Sequence, residues 1–366
     1  MIFCRKSLIM CREKFIFAHK SKLVNMRKTI FGTLLLLSVV LWDVPVRGQG
    51  LGQIIDSLNH RTLYSTCWDN GWGGLVPEWI YQDLLGHMAS TPKLIALVKQ
   101  QNLSPPLRLS ALRALIDSRS PVCKALVLRN MSDSSRVTVR SADVIYGDYT
   151  QNLYIEWLME GRGEGWLSAS DSARIDSAAL CSPVAARLDY TRRLLYRLPS
   201  GLPEYEQRVR QLYVKEHIAE ALPLLARYRR EADKALIAEA LLQYARGLDK
   251  EGAQAGRKGH TNEALLAVRN WPDEAFKTTL LTIRNYEVRR KYYDYARIKY
   301  LFEALMAYDS PWAYRQIDLT LRKAKGNRYY REYFHSAMKK HYHARYQPLL
   351  DKWPYTPWND FGDGFE

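Results

Sequence analysis

The sequence predicts an all-α fold in which antiparallel helical hairpins stack side by side. Three observations carry this. Apolar residues recur at three- and four-residue spacing, as in Leu94, Leu97 and Val98 and again in Leu109, Leu112, Leu115 and Ile116, giving each segment one apolar helical face. Turn residues such as Asn102, Ser104, Pro105 and Pro106 separate the segments, because proline cannot donate to a preceding turn and is tolerated only in the first turn of the next helix. Alternation of apolar and polar residues is rare, so no strand is predicted. The hairpin from Pro92 to Ser118 is the clearest unit. It cannot bury its apolar faces alone, so it implies neighbours of the same kind.

The N-terminus carries an address. Arg27 and Lys28 precede an apolar run from Ile30 to Leu41, and Val46, Arg47 and Gly48 offer a cleavage site before Gln49. A basic stretch, a short apolar run and small residues form the pattern of a secretory signal at 26–48. Met26 is then a better start than Met1, and 1–25 is an extra or mis-assigned extension. The run is shorter than the roughly 20 apolar residues of a spanning helix, so a membrane location follows only if it stays uncleaved. The expected location is periplasmic or secreted.

Of 54 Lys+Arg and 38 Asp+Glu, 9 and 2 fall in residues 1–49, which leaves 45 against 36. That modest excess favours solubility and some attraction to polyanions, and it does not argue for nucleic-acid binding. Cys67, Cys123 and Cys181 lie beyond the signal and match no metal or redox spacing. One disulfide with one buried thiol is the first expectation in an oxidising compartment, and three buried thiols the second.

Residues 49–160 are read as N-terminal hairpins. Leu51 to Asn59 forms a helix, and Tyr64 to Pro77 gathers Trp68, Gly71, Trp72, Gly73 and Gly74 into a cap or a ligand-contacting loop. Glu78 to His87 is the next helix and leads into the Pro92–Ser118 hairpin, with Arg108 and Arg113 off its apolar stripe. Val122, Ala125, Leu126 and Leu128 open another unit. Ser132 to Ser135 is its turn, and Val139-Arg140-Ser141-Ala142 its second helix. Leu107-Arg108 and Val139-Arg140 place an apolar-Arg pair ahead of small residues, 32 positions apart. These residues resemble the HEAT family of helical repeats, whose first helix often carries a proline and whose second carries such a pair. The resemblance implies an α-solenoid and a surface for partners.

After a helix from Asp148 to Glu160, Gly161, Gly163 and Gly165 open an irregular linker at 161–186 with one weak helix. C-terminal hairpins fill 187–350. Their helices are Leu222–Leu225 with Ile237–Leu242, Glu263–Trp271 with Phe276–Tyr286, Tyr292–Tyr308 with Trp312–Lys323, and a last one at Arg328–Tyr346. Residues 351–366 form an irregular tail.

The chemistry-bearing composition concentrates between Arg284 and Tyr346, where 15 Lys+Arg face 6 Asp+Glu among many aromatic residues. On the Tyr292–Tyr308 helix, Tyr295, Ile298, Phe302 and Leu305 share the face expected in the core. Arg290, Tyr293, Arg297 and Tyr300 share the opposite one, and alternating tyrosines and arginines suit a protein or an acidic glycan. His341 and His343 point to opposite sides if the last helix continues through them, which disfavours a shared metal. Ser336 and Lys339 fit a Ser-x-x-Lys pattern without its companion signals. No metal or cofactor is therefore expected. The function expected is an exported, non-enzymatic binding or scaffolding surface. The alternative is a polysaccharide lyase of the α/α-toroid kind, which needs a tyrosine and a histidine converging beside an arginine.

Overall fold

A computed structural model of the chain describes residues 50–67, 76–163, 165–199, 202–248, 262–289, 295–324 and 327–355. The expected signal segment and the Trp68–Gly74 cluster lie outside them. Among the described residues no helix is long and apolar enough to cross a membrane.

Helices dominate. The N-terminal half holds α1 (Leu51–Asn59), α2 (Pro77–Met88), α3 (Thr91–Lys99), α4 (Pro105–Asp117), α5 (Cys123–Arg129), α6 (Thr150–Gly163), α7 (Ala169–Cys181), α8 (Asp189–Arg197) and α9 (Pro203–Val214). The C-terminal half holds α10 (Leu222–Tyr228), α11 (Lys234–Leu248), α12 (Asn262–Asn270), α13 (Lys277–Glu287), α14 (Tyr295–Met306), α15 (Pro311–Lys323), α16 (Arg328–Lys340) and α17 (Gln347–Lys352). Local chemistry sets many of the starts. Proline occupies the first turn of α2, α3, α4, α9, α10, α15 and α17. The Ser168 and Ser310 hydroxyls accept from the backbone N–H of Asp171 and Ala313 and cap α7 and α15.

The even-numbered helices from α2 to α16 form one row, each packed on the next. In the other row α3 packs on α5, α5 on α7, and α11 on α13. Neighbouring turns are laced together. The Tyr308 hydroxyl donates to the Asp273 carbonyl at 2.7 Å, the Tyr346 hydroxyl to that of Met306 at 3.2 Å, and Asn270 Nδ2 to that of Pro223 at 2.7 Å. Lys234 reaches Asp273 at 2.7 Å and lies over the Trp271 ring, while Lys277 lies over Tyr308 and Trp312. One apolar core runs from Ile54 to Leu225 and a second from Leu222 to Leu349, so they meet within α10.

A small sheet departs from the all-helical expectation. β1 (Leu63–Ser65) pairs parallel with β2 (Arg136–Ser141), which pairs antiparallel with β3 (Val144–Tyr149). The segment Val139-Arg140-Ser141, expected to open a helix, is therefore a strand, and the 32-residue spacing of Arg108 and Arg140 joins a helix to a sheet. The reason is local. Val137 and Val139 are buried while Arg136 and Thr138 point outward, a two-residue alternation of β-branched residues. Ala142 takes a left-handed φ of 53° in the tight turn to β3.

The stretch expected as a linker holds the thirteen-residue helix α7. Its serines and alanines look solvated in sequence, yet Ser172, Ile175 and Ala179 make a helical stripe that is buried in the first core. Asp171 and Asp176, each followed by a serine and an alanine, are occupied: Asp171 binds Lys124, and Asp176 accepts from Tyr190 and Arg197. The last helix ends at Lys340, which leaves His341 and His343 in the following turn.

All three described cysteines are free thiols: Cys123 is buried, Cys67 half-buried and Cys181 exposed. The expected disulfide does not form. Burial pushes the Cys123 thiol up to about 12.

The beginning of the tail is tethered. Asp318 on α15 accepts from Lys352 Nζ at 3.0 Å, from Trp353 Nε1 at 2.9 Å and from Arg322, while His335 contacts the Trp353 carbonyl at 2.9 Å. Burial alone would raise the Asp318 pKa, but the Lys352, Trp353 and Arg322 donors outweigh it and hold the pKa below its ordinary value. A carboxylate depressed by folding stabilises the native state above its unfolded pKa and loses that contribution as pH falls through the folded one. Limited proteolysis should thus release the segment after α17 faster below about pH 4. Asp318→Asn should show the same release at pH 7, and equal protection of variant and parent would refute the tether.

Candidate functional site

The four residues expected to share an exposed face do not all do so. Arg290 and Tyr293 lie outside the described residues. Arg297 is 1% exposed; its guanidinium binds Glu287 Oε1 at 2.7 Å and sits 5.3 Å from the centre of the Tyr244 ring. Tyr300 is half-buried, and Ile298, Phe302 and Leu305 are in the core as expected. The displacement has a geometric cause. An amphipathic helix lying on a core has one buried and one free face, whereas α14 packs on α12, α16, α13 and α15. Among the residues of α14 whose exposure is described, only Lys299 and Tyr300 are not buried, and Arg297 falls on the side facing α13.

Lys299 and Tyr300 lie among polar contacts that cross the even-numbered row from helix to helix. Arg113 on α4 reaches Glu160 on α6 at 3.3 Å, and Glu156 on α6 pairs with Arg193 on α8. The Tyr196 hydroxyl on α8 donates to Glu263 on α12 at 2.6 Å. Arg269 on α12 meets Glu303 on α14 at 2.8 Å, and His341 at the end of α16 approaches the same oxygen at 3.8 Å.

The electrostatics mark two regions. Around Glu263, burial first and then the carboxylate raise the Tyr196 pKa, and burial with Glu303 and Glu263 raises that of Tyr300. Around Glu303, burial and then Lys340 lower the Lys299 pKa, and burial lowers that of His341 against the pull of Glu303. Both phenols thus remain protonated donors at neutral pH, and the far end of the row is cationic.

At the other end, Arg113, Ile116, Asp117, Arg119, Trp157, Glu160 and Trp166 line a shallow hollow of about 160 Å³. Arg113 covers the Trp157 ring at 5.5 Å and Tyr64 packs on it at 5.3 Å, so this indole is an internal spacer and not an open stacking platform. Among the described residues, no group of three or more His, Cys, Asp or Glu could hold a metal ion.

The sequence signalled Tyr300 through its helical spacing but not Tyr196, Glu263, Arg269, Glu303 or Lys340. These lie on four helices and come together only through the row. No family model, no curated protein and no solved structure matches the chain.

Proposed function

We propose that the chain is an exported, non-enzymatic binding or scaffolding protein, a HEAT-like α-solenoid whose outer row faces an extracytoplasmic partner. The observation that carries this is the series of polar contacts from helix to helix along the row. Charged and phenolic side chains on α4, α6, α8, α12, α14 and α16 contact one another across the row. Rigid stacked helices present such a surface without ordering cost, and affinity then comes from a few aromatic and cationic anchors. The cationic end favours an acidic glycan, and a protein partner is the other outcome of the test.

Replacing Tyr196 and Tyr300 together with alanine should reduce partner capture from periplasm or culture fluid by at least about tenfold with little loss of fold. Capture equal to that of the parent would reject that surface. N-terminal sequencing of the secreted parent used in the assay checks the export reading, which an intact Met1 or Met26 would end.

The lyase alternative draws on one cluster, because Tyr300, His341 and Arg269 all lie around Glu303. It requires acidic glycans to be cleaved with formation of an unsaturated, ultraviolet-absorbing product. The binding reading expects retention without cleavage.

A further inference from the structure

Between α12, α14 and α16 the row carries more positive charge than its carboxylate balances. Arg269 and Lys299 lie beside Glu303, which is 2% exposed and whose Oε2 already accepts from Arg269. Lys299 stands one helical turn before Glu303 on α14, Lys340 directly precedes His341 at the end of α16, and the Lys340 charge acts against protonation of Lys299. Among the described residues no carboxylate forms an ion pair with either lysine. His341 stands beside them with Nε2 at 3.8 Å from Glu303, and Arg269, His343 and Lys340 all oppose its protonation. Like charges held this close repel, and an anion placed between them relieves the repulsion while accepting hydrogen bonds from several donors.

We infer that Lys299, Lys340 and His341, backed by the Arg269–Glu303 pair, form a subsite for the carboxylate or sulfate group of an acidic glycan. The inference rests on the even-numbered row being the binding surface. A glycan fits better than an acidic peptide because the subsite has aromatic neighbours. The Lys299 ammonium lies 5.8 Å from the centre of the Tyr300 ring, and Tyr196 is 42% exposed with its hydroxyl anchored on Glu263. A pyranose offers a flat C–H face to such rings next to its acidic group, whereas an aspartate or glutamate side chain offers only the acid.

The test uses the full chain with four probes: inorganic sulfate, a galacturonate oligomer, a neutral oligomer of equal length and a poly-glutamate peptide. Binding is followed by calorimetry and by the imidazole titration of His341 in NMR. The galacturonate oligomer should bind more tightly than the neutral oligomer and the peptide, and both it and sulfate should raise the His341 pKa. Lys299→Ala with Lys340→Ala should weaken the oligomer by about tenfold per lysine and abolish the His341 shift. Thermal midpoints should match the parent, since among the described residues neither ammonium is paired with a carboxylate. Lys→Arg at both positions keeps the charge and should restore binding.

Oligomer binding that leaves His341 unmoved, or that survives the double alanine variant, would overturn the subsite while leaving the row as a binding surface. Tighter binding of poly-glutamate than of the oligomer would overturn the glycan, and failure of every acidic probe would overturn the anion site. Partner capture that ignores Tyr196 and Tyr300 would end the broader reading on its own.

Discussion

Arg297→Ala should destabilise the protein by about 3–5 kcal/mol, because removing one member of a buried ion pair strands the other in a low-dielectric site. Arg297 and Glu287 are 1% and 0% exposed, and their contact ties α14 to α13. The Tyr330 hydroxyl donates to the Glu287 carbonyl at 2.9 Å, which brings α16 into the same knot. Urea unfolding should show the loss as a lowered midpoint with an unchanged slope. Replacing both partners, Arg297→Met with Glu287→Leu, should cost less than Arg297→Ala alone, because no buried charge is then stranded. A small effect of Arg297→Ala together with lost partner capture would return Arg297 to the exposed role that its helical spacing suggested.

Arg108→Ala should have a loss of similar size in the N-terminal half. Arg108 is 1% exposed and every branch of its guanidinium is engaged. Nε donates to the Leu103 carbonyl at 3.2 Å, Nη1 to Gln101 Oε1 at 3.1 Å and to Asp133, and Nη2 to Ser135 Oγ at 2.9 Å. Asp133 also accepts from Thr150 Oγ1 at 3.2 Å, so one arginine joins α4, the turn before β2 and the start of α6. Burial pushes the Asp133 pKa up, but the hydrogen bonds from Ser135 and Arg108 outweigh it and hold it below its ordinary value. We expect Arg108→Ala to cost about 3–5 kcal/mol. Arg108→Lys should recover little, since a single ammonium cannot reproduce the planar fork. Amide exchange should locate the damage: faster exchange in β2 and β3 than in α12 or α14 is expected, and uniform acceleration would contradict a local knot.

Both arginines show where sequence reading stops. Helical spacing puts Arg108 off an apolar stripe and Arg297 on an exposed face, because a charged side chain belongs in water unless it meets a partner, and the partners of these two do not stand nearby in sequence. Their carboxylates are 25 and 10 residues away on other elements. The strand at Arg136–Ser141 was legible in the alternation of Val137 and Val139, and the helix at Ala169–Cys181 in the spacing of Ser172, Ile175 and Ala179. Arginines and serines within those segments hid both patterns.

Most of the helices and their turns follow from local sequence. Apolar periodicity, prolines in first turns and capping residues act within a few positions, and the hairpin at Thr91–Asp117 follows from them almost residue by residue. Which faces meet water depends on packing between helices. In a row, each helix is covered by the helix before it, the one after it and the second row, so the open arc depends on neighbours 30 or more residues away. That is why Tyr300 stays at the surface while Arg297, three positions earlier, is sealed inside, and why the cations around Glu303 converge from three helices that share no motif.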